Sequence, residues 1–528
     1  MVTVKRALLS CHDKTGLDVF AKELAALGVE LVASGGTAEF LAAHSVRAKT
    51  VEQFAGITEQ LDGRVKTLHP KIHAGILARR DDGAHVKAVG ADGLIDLVVV
   101  NLYPFQQTVQ RAGVGLREAI EDIDIGGVAL LRAAAKNFTH VAAVCQPAQY
   151  AEVADVLRRG KGQLPDALAR RLAVRAFELT SAYDTGISEY LASDNGTVVA
   201  RVEGPKAGES AGGFSETASV SLRKRQALRC GENPHQPGAW YVPASSPIWG
   251  IGTLTQLQGK ELSYNNLLDI DAALRCLLAF GDPTCVIVKH NSQCGLASAA
   301  TAEQAYECAY ACDAESAFGG IVGLNQPVDA AMAGRLTETF LEVVMAPSIE
   351  PQAAAAFRKK PNLRVVTLEW PTGGSLNTLE WRQLSGSWLL QDPDAAAAEL
   401  GSLQTATKRA PTEQERSDLV FAWKAVKHVK SNGVVLASDL ATVGIGQGQP
   451  SRVGSVRLAI QQAGARSRNA VAASDGFFPF ADSIELLAKA GVTAVIQPGG
   501  SIRDPEVIAA ADAANLAMLI TGIRHFRH

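Results

Sequence analysis

Thr284-Cys285-Val286-Ile287-Val288-Lys289-His290-Asn291-Ser292-Gln293-Cys294-Gly295 is the stretch whose reading decides the fold. Cys285 to Val288 is a short apolar run with β-branched residues, preceded by Asp282-Pro283 and followed by polar residues. That pattern predicts a buried strand. Lys289 and His290 fall where the strand ends, beside a loop that closes with Gly295. Ligands of α/β sheets bind at strand ends. An ammonium beside an imidazole suits proton transfer at an acyl centre that develops negative charge. His accepts a proton near neutral pH, and Lys holds or protonates an oxyanion. An isolated Lys-His pair is also an ordinary way to end a surface strand, so the rest of the chain must choose.

With 528 residues the chain exceeds one core, and at about 150 residues per domain it suggests three or four. A 47% hydrophobic and 20% charged composition can bury large cores. Only 6% of residues are aromatic, which argues against a nucleic-acid binder built on stacking. The net charge of -3 and pI near 6.4 come with no basic stripe for DNA or RNA. The apolar part of the N-terminus is too short for a signal peptide, and no window of about 18 apolar residues would span a membrane. The expectation is a cytoplasmic protein with neither a nucleic-acid nor a membrane partner. The 8 cysteines are scattered and fit reduced thiols better than a disulfide framework.

In residues 1–200, Val4 to Ser10 reads as a strand, followed by the loop Cys11-His12-Asp13-Lys14-Thr15-Gly16 and a helix from Leu17 to Leu27. Val29 to Ala33, Ser34-Gly35-Gly36-Thr37 and a helix from Ala38 repeat the pattern. Strand, small polar loop and helix twice over predict a parallel α/β sheet. Both loops offer N–H groups and hydroxyls to a phosphate, or are plain turns; neither has Walker or dinucleotide spacing. Arg64, Lys66 and Thr67 are candidates to clamp an anion. His69 and His73 lie four apart, but Pro70 disfavours a helix across them and no third ligand is near, which argues against a metal. Ile95 to Val100 is an apolar strand ending in Asn101-Leu102-Tyr103-Pro104-Phe105, and Asp124-Ile125-Gly126-Gly127 leads into a helix carrying Arg132 and Lys136. Residues 196–213 read as a linker.

Asp13-Lys14-Thr15-Gly16, Ser34-Gly35-Gly36-Thr37, Arg64 through Pro70, Asn101 through Phe105 and Asp124 through Gly127 come in one order and spacing. Together they resemble the IMP cyclohydrolase half of the bifunctional purine biosynthesis enzymes. That resemblance implies a methylglyoxal-synthase-like parallel α/β domain.

In residues 201–528, Leu228 to Gln236 is a polar, turn-rich cluster, and Lys260 to Asn266 precedes a helix from Leu267 to Ala279. Ser316-Ala317-Phe318-Gly319-Gly320 is a glycine turn feeding a strand. Lys430-Ser431-Asn432-Gly433 ends a helix, and Thr442 to Gly454 reads as a second glycine-rich turn carrying Arg452. Phe477, Phe478 and Phe480 surround Pro479 as either core or the wall of a flat-ring pocket. The recurring pattern suggests two similar lobes without a residue-level repeat. Cys294, Cys308 and Cys312 with His290 lack a Cys-x-x-Cys pair and read as core rather than zinc ligands.

Gly231 to Gln236, Lys289-His290, Ser316 to Gly320, Lys430 to Asn432, Ser451-Arg452, Asp475 to Phe480, Gln497 to Asp504 and the C-terminal Arg524-His525-Phe526-Arg527-His528 resemble the AICAR transformylase half of the same enzymes. The resemblance then covers nearly the whole chain. It implies two cytidine-deaminase-like α/β lobes without zinc, a homodimer with shared transformylase sites, 10-formyltetrahydrofolate as co-substrate and a structural potassium ion. Cys230 stands where the family commonly has Tyr, and Ser292-Gln293 where it has Asn-Pro, so the loop after His290 is expected to be looser.

The resemblance implies formyl transfer to AICAR giving FAICAR, then ring closure to IMP. For the transfer, His290 is the candidate general base, Lys289 the oxyanion or leaving-group partner, and Asn432 the group orienting the formyl oxygen. Arg229, Asn266, Phe318, Gly319, Arg452, Phe477, Pro479 and Arg524 are binding candidates. For ring closure, Ser10, Lys14, Ser34, Gly36, Thr37, Arg64, Thr67 and Gly126 are phosphate and ribose candidates; Lys66, Tyr103, Asp124 and Lys136 are proton movers. Two alternatives remain open at this point: a cyclohydrolase with a decayed transformylase site, and a nucleotide-sensing protein without turnover.

Overall fold

Alternation along the strands sets the first unit. β1 (Arg6–Cys11), β2 (Glu30–Ala33), β3 (Lys49–Thr50), β4 (Leu97–Asn101) and β5 (Ala142–Val144) form a sheet in the order β3-β2-β1-β4-β5, parallel throughout. Ala7 and Leu9 of β1 join one buried cluster and Leu8 joins another; Leu97 and Val99 of β4 separate in the same way from Val98 and Val100. A sheet apolar on both faces needs helices on both. Phe20 and Leu24 of α1 (Leu17–Ala26) cover one face. Ile72 and Ile76 of α3 (Pro70–Leu77), Leu130 and Leu131 of α4 (Gly126–Lys136) and Ala173 and Ala176 of α5 (Asp166–Ala192) cover the other. The helix α2 (Gly35–Ala43) starts at the glycines, with Ser34 as its N-cap, so that motif is a first helical turn. Pro70 begins α3 instead of interrupting it: its missing N–H is needless at the first position.

The computed structural model describes residues 1–56, 61, 65–111, 113–192, 218, 220–244, 249–370, 379–395 and 403–528. Its two compact units are Met1–Ser221 and Leu222–His528. The expected linker at 196–213 and the expected boundary at 200/201 lie outside the described residues.

The second unit begins with a separate hairpin, β6 (Leu222–Leu228) with β7 (Gly238–Pro243). Next come β8 (Thr255–Gln258), α6 (Tyr264–Leu277), β9 (Thr284–Lys289), β10 (Ser292–Ser298), α7 (Ala302–Cys312), β11 (Ile321–Leu324), β12 (Val343–Ala346) and β13 (Arg364–Thr367). β14 (Gln404–Thr405), α8 (Glu413–Val426), β15 (Val434–Ser438), β16 (Ala441–Gly446), α9 (Arg452–Ala463), β17 (Val471–Ser474), β18 (Ala494–Gln497) and β19 (Ala517–Ile520) follow. The 12-stranded sheet runs β8-β13-β12-β11-β9-β10-β16-β15-β17-β18-β19-β14. Inward from either end it presents an antiparallel edge strand, three parallel strands and an antiparallel hairpin.

The two halves also agree in detail. β9 and β10 are joined by His290-Asn291 (φ 53° and 57°), and β15 and β16 by Asp439-Leu440 (φ 52° and 55°). Two left-handed central residues define the type I′ turn that matches strand twist. The expected loose loop ending at Gly295 is therefore a two-residue turn, and Gln293 pairs with Val288 inside the sheet. The expected glycine-rich turn from Thr442 to Gly454 is β16 up to Gly446 and the start of α9 from Arg452. Its Gly444 and the Gly295 of β10 serve one purpose: a Cβ there would lie 2.1 Å from the Ala459 carbonyl oxygen and 1.9 Å from that of Ala309, respectively. Each glycine lets a helix lie flush on its hairpin. Gly295→Ala and Gly444→Ala should each destabilise the protein by about 2 kcal/mol or more through overpacking, read as a fall in the urea midpoint of unfolding. Wild-type midpoints for both would contradict the repeat.

Candidate functional site

The first site lies where strands of the parallel sheet end. A cleft of about 710 Å³ opens there, as expected for a parallel α/β sheet. Ser10 from β1, Ser34, Gly36 and Thr37 at the start of α2, and Lys14 from the loop after β1 line it together. Ser34 donates its hydroxyl hydrogen to Ser10 Oγ at 2.8 Å, and Thr37 donates to the Cys11 carbonyl at 3.2 Å. The Lys14 ammonium also donates to that carbonyl. Burial pulls the Lys14 ammonium below its ordinary range, and nearby Lys66 adds to this. Hydroxyls, a helix start and two cations make a polar cradle for an anion.

Across the cleft stand Lys66, Thr67, Tyr103, Asp124 and Gly126. A Cβ at Gly126 would meet Thr67 Oγ1 at 2.5 Å, so only glycine lets α4 begin against that hydroxyl. The Gly127 N–H donates to Asp124 Oδ1 at 2.6 Å. Burial raises the Asp124 carboxyl, while that hydrogen bond and nearby Lys66 and His12 draw it down. A carboxyl with a raised pKa beside an ammonium is suited to exchanging protons near neutral pH.

Sequence reasoning omitted His12 and Asn101 from the candidates, although both line the cleft. The His12 ring lies edge-on to Tyr103 at 5.2 Å. Asn101 ends β4, accepts the Asp13 N–H and donates to the Asp13 carbonyl, both at 2.8 Å, fixing the loop that carries Lys14. A polar residue at a strand terminus was the available signal. Lys136 stands apart from the other candidates. It ends α4, which starts at the cleft, and is exposed roughly 15 Å along the axis at 1.5 Å per residue. Arg64 lies outside the described residues. His69 caps α3, accepting the Lys71 N–H.

In the second unit, Lys289 and His290 end β9 and enter its turn; Lys289 is half-buried and His290 exposed. The Lys289 ammonium donates to the Phe318 carbonyl at 2.8 Å, which brings the Phe318-Gly319 turn alongside. Asp269 of α6, absent from the sequence candidates, accepts the Asn291 N–H at 2.5 Å and feels the charges of both His290 and Lys430. Lys430 leads into Asn432, so Lys289, His290 and the Lys430–Asn432 segment share one neighbourhood. Neither Lys289 nor His290 lines the 970 Å³ cleft nearby, which Asn291 and Lys430 do reach.

Arg452 is drawn inside. It is only 7% exposed, and its guanidinium donates to Asp475, to Ser474 Oγ at 2.8 Å and to Asn432 Oδ1 at 2.6 Å. Asn432 Nδ2 donates to the Gln449 carbonyl at 2.8 Å. Both ends of the Asn432 amide therefore have partners in the protein, and Arg452 acts behind it. Asn266 is turned to capping α6 with Ser263. Phe478 is core, whereas Phe477 and Phe480 are exposed and Pro479 half-buried. Arg524 is exposed over the Phe526 ring, and Arg229 is exposed beside β6. Cys294 and Cys312 are buried, their thiols pushed up to about 12 and about 11 by burial, but Cys308 faces solvent, against expectation.

The parallel unit carries an MGS-like domain, whose family model matches residues 16–129. A second family model, AICARFT/IMPCHase bienzyme, matches residues 134–462. Curated relatives named bifunctional purine biosynthesis protein PurH are 45% identical in Nostoc punctiforme (99% of both chains) and 47% identical in Roseobacter denitrificans (100% of this chain, 99% of that one). A solved structure titled "Crystal structure of ForH" is 34% identical over 35% of this chain and 98% of its own, with a TM-score of 0.32. The chain belongs to the AICARFT/IMPCHase bienzyme family.

Breaking the buried Arg452–Asp475 pair leaves an uncompensated charge. Arg452→Ala should therefore destabilise the protein by about 3–5 kcal/mol, read by chemical denaturation. A loss below about 1 kcal/mol would show that the guanidinium is not a structural partner.

Proposed function

We propose that the chain transfers a formyl group from 10-formyltetrahydrofolate to AICAR and then closes the product, FAICAR, to IMP. The carrying observation is 45–47% identity over essentially the whole chain to relatives whose name states two activities in purine biosynthesis. The local chemistry supports it. In the transfer, the AICAR amine attacks the formyl carbon while His290 takes its proton. The bond to the folate nitrogen breaks, and Lys289 stabilises the oxyanion or protonates that nitrogen. Asn432, held between Arg452 and Gln449, orients the formyl oxygen.

In ring closure, the carboxamide nitrogen of FAICAR attacks its own formyl carbon. Asp124 takes one proton from that nitrogen and Lys66 gives one to the formyl oxygen, making a cyclic carbinolamine; a second protonation of its hydroxyl and loss of the proton on the former formamide nitrogen then release water and form the ring C=N bond. Tyr103 and His12 border these groups, and Ser10, Ser34 and Thr37 hold the phosphate end. Both reacting groups sit on one molecule, so positioning supplies several kcal/mol of the acceleration.

We assign the working form to a homodimer. Phe318, Phe477 and Arg524 are exposed on a single chain, and a second subunit would complete a transformylase site around them. We place the enzyme in the cytoplasm; among the described residues no helix is long and apolar enough to cross a membrane. We include a structural potassium ion: a hard cation takes carboxylate, hydroxyl and carbonyl oxygens, and the buried Asp475 carboxylate with the Ser431 hydroxyl 2.5 Å from it supplies donors of that kind. No step runs through such an ion.

His290→Ala should lower transformylation of AICAR by at least about 10²-fold, the scale of a general base, while cyclisation of supplied FAICAR stays at wild-type rate. Near wild-type transformylation would remove His290 from the mechanism. Lys66→Ala should slow cyclisation of FAICAR by about 10²-fold and leave its formation intact. Loss of both steps would mean misfolding.

A further inference from the structure

We infer that Asp269 is a positioning residue of the transformylase site, holding the left-handed His290-Asn291 turn from beneath and presenting a carboxylate to His290 and Lys430. The inference rests on the reading of His290 as the base. His290 and Asn291 are both non-glycine residues with positive φ, a conformation that L side chains adopt only at a steric cost. Asp269 reaches up from α6, and its Oδ1 accepts the Asn291 N–H at 2.5 Å, a charge-assisted bond that offsets this cost. The imidazole projects from the residue between the strand end and that anchor, so the direction of its Cα–Cβ bond depends on the anchor.

The internal repeat separates holding from aiming. Asp418 of α8 does the same backbone task, accepting the Leu440 N–H at 2.8 Å under the equivalent turn. That turn carries Asp439 and Leu440 and no imidazole. The second oxygen of Asp418 accepts from the Gln414 amide at 3.2 Å. Asp269 instead faces His290 and Lys430, with Cys294 also within electrostatic reach. Burial raises the Asp269 carboxyl, and the Asn291 N–H and the charge of His290 pull it back down. Its ionised form is therefore tied to the Lys430 ammonium and to the imidazolium that forms when His290 takes its proton.

The test compares one isosteric change at both places in the full-length enzyme. Asn at either position keeps the oxygen that accepts the turn N–H and removes the charge. Asp269→Asn should lower transformylase kcat at least tenfold while KM for AICAR stays within about twofold. Asp418→Asn should leave kcat unchanged at a similar loss of Tm. Asp269→Glu, which restores the charge, should recover part of kcat. If Asp269→Asn lowers Tm so far that it cannot be assayed, Asp269→Ser, a smaller neutral acceptor, is read in its place against the same tenfold criterion. Wild-type kcat in the assayed variant, or equal kcat losses at positions 269 and 418, overturns the inference. His290→Ala separates the two claims. An inactive His290→Ala with a fully active Asp269→Asn sinks only the role of Asp269. An active His290→Ala sinks the reading beneath it.

Discussion

A two-residue turn in left-handed conformation, clamped by an aspartate from the helix below, is the constraint on which the second unit depends. It appears at His290-Asn291 and again at Asp439-Leu440. Each turn fixes the register of a hairpin, and each hairpin carries a glycine whose missing side chain lets a helix settle on the strands. The two hairpins meet through β10 and β16, joining two half-sheets into one. On one face a single core spans both halves, with Val286 and Val435 in the same cluster; on the other face each half keeps its own. A chemically useful His-Lys pair therefore sits on backbone that the fold already holds rigid.

The first unit reaches the same end by a simpler route. Parallel strands buried on both faces bring their carboxyl ends to one rim, and the loops there supply hydroxyls, amides and cations. Asn101 shows the economy of this arrangement: one side chain at a strand end fixes both backbone groups of Asp13. Low dielectric then tunes the groups already assembled. Asp124 is pushed up and Lys14 pulled down by the same cause, burial, because each is charged in its ordinary state.

Where reading of the sequence and the structure part, long-range packing is the reason. Arg452 has the composition of an anion-binding residue, yet it lies inside, because Asp475, far away in sequence, neutralises it there. Lys136 shares a helix with the cleft glycines but ends it on the distant side. The Gly444 region looks like a turn because glycine weakens strands in isolation; only the nearness of Ala459 explains its presence within one.

The amino-acid order alone determined the strand-and-helix alternation, the cleft residues at strand ends and the Lys-His pair, because these follow from local periodicity and from side chains lying within a few residues of each other. Tertiary structure decided which residues of the two expected lobes correspond, the burial of Arg452 and the pairing of Asp269 with the His290 turn. Those depend on backbone meeting backbone, and on charges from separate helices and strands sharing one low-dielectric space, which spacing along a chain does not encode.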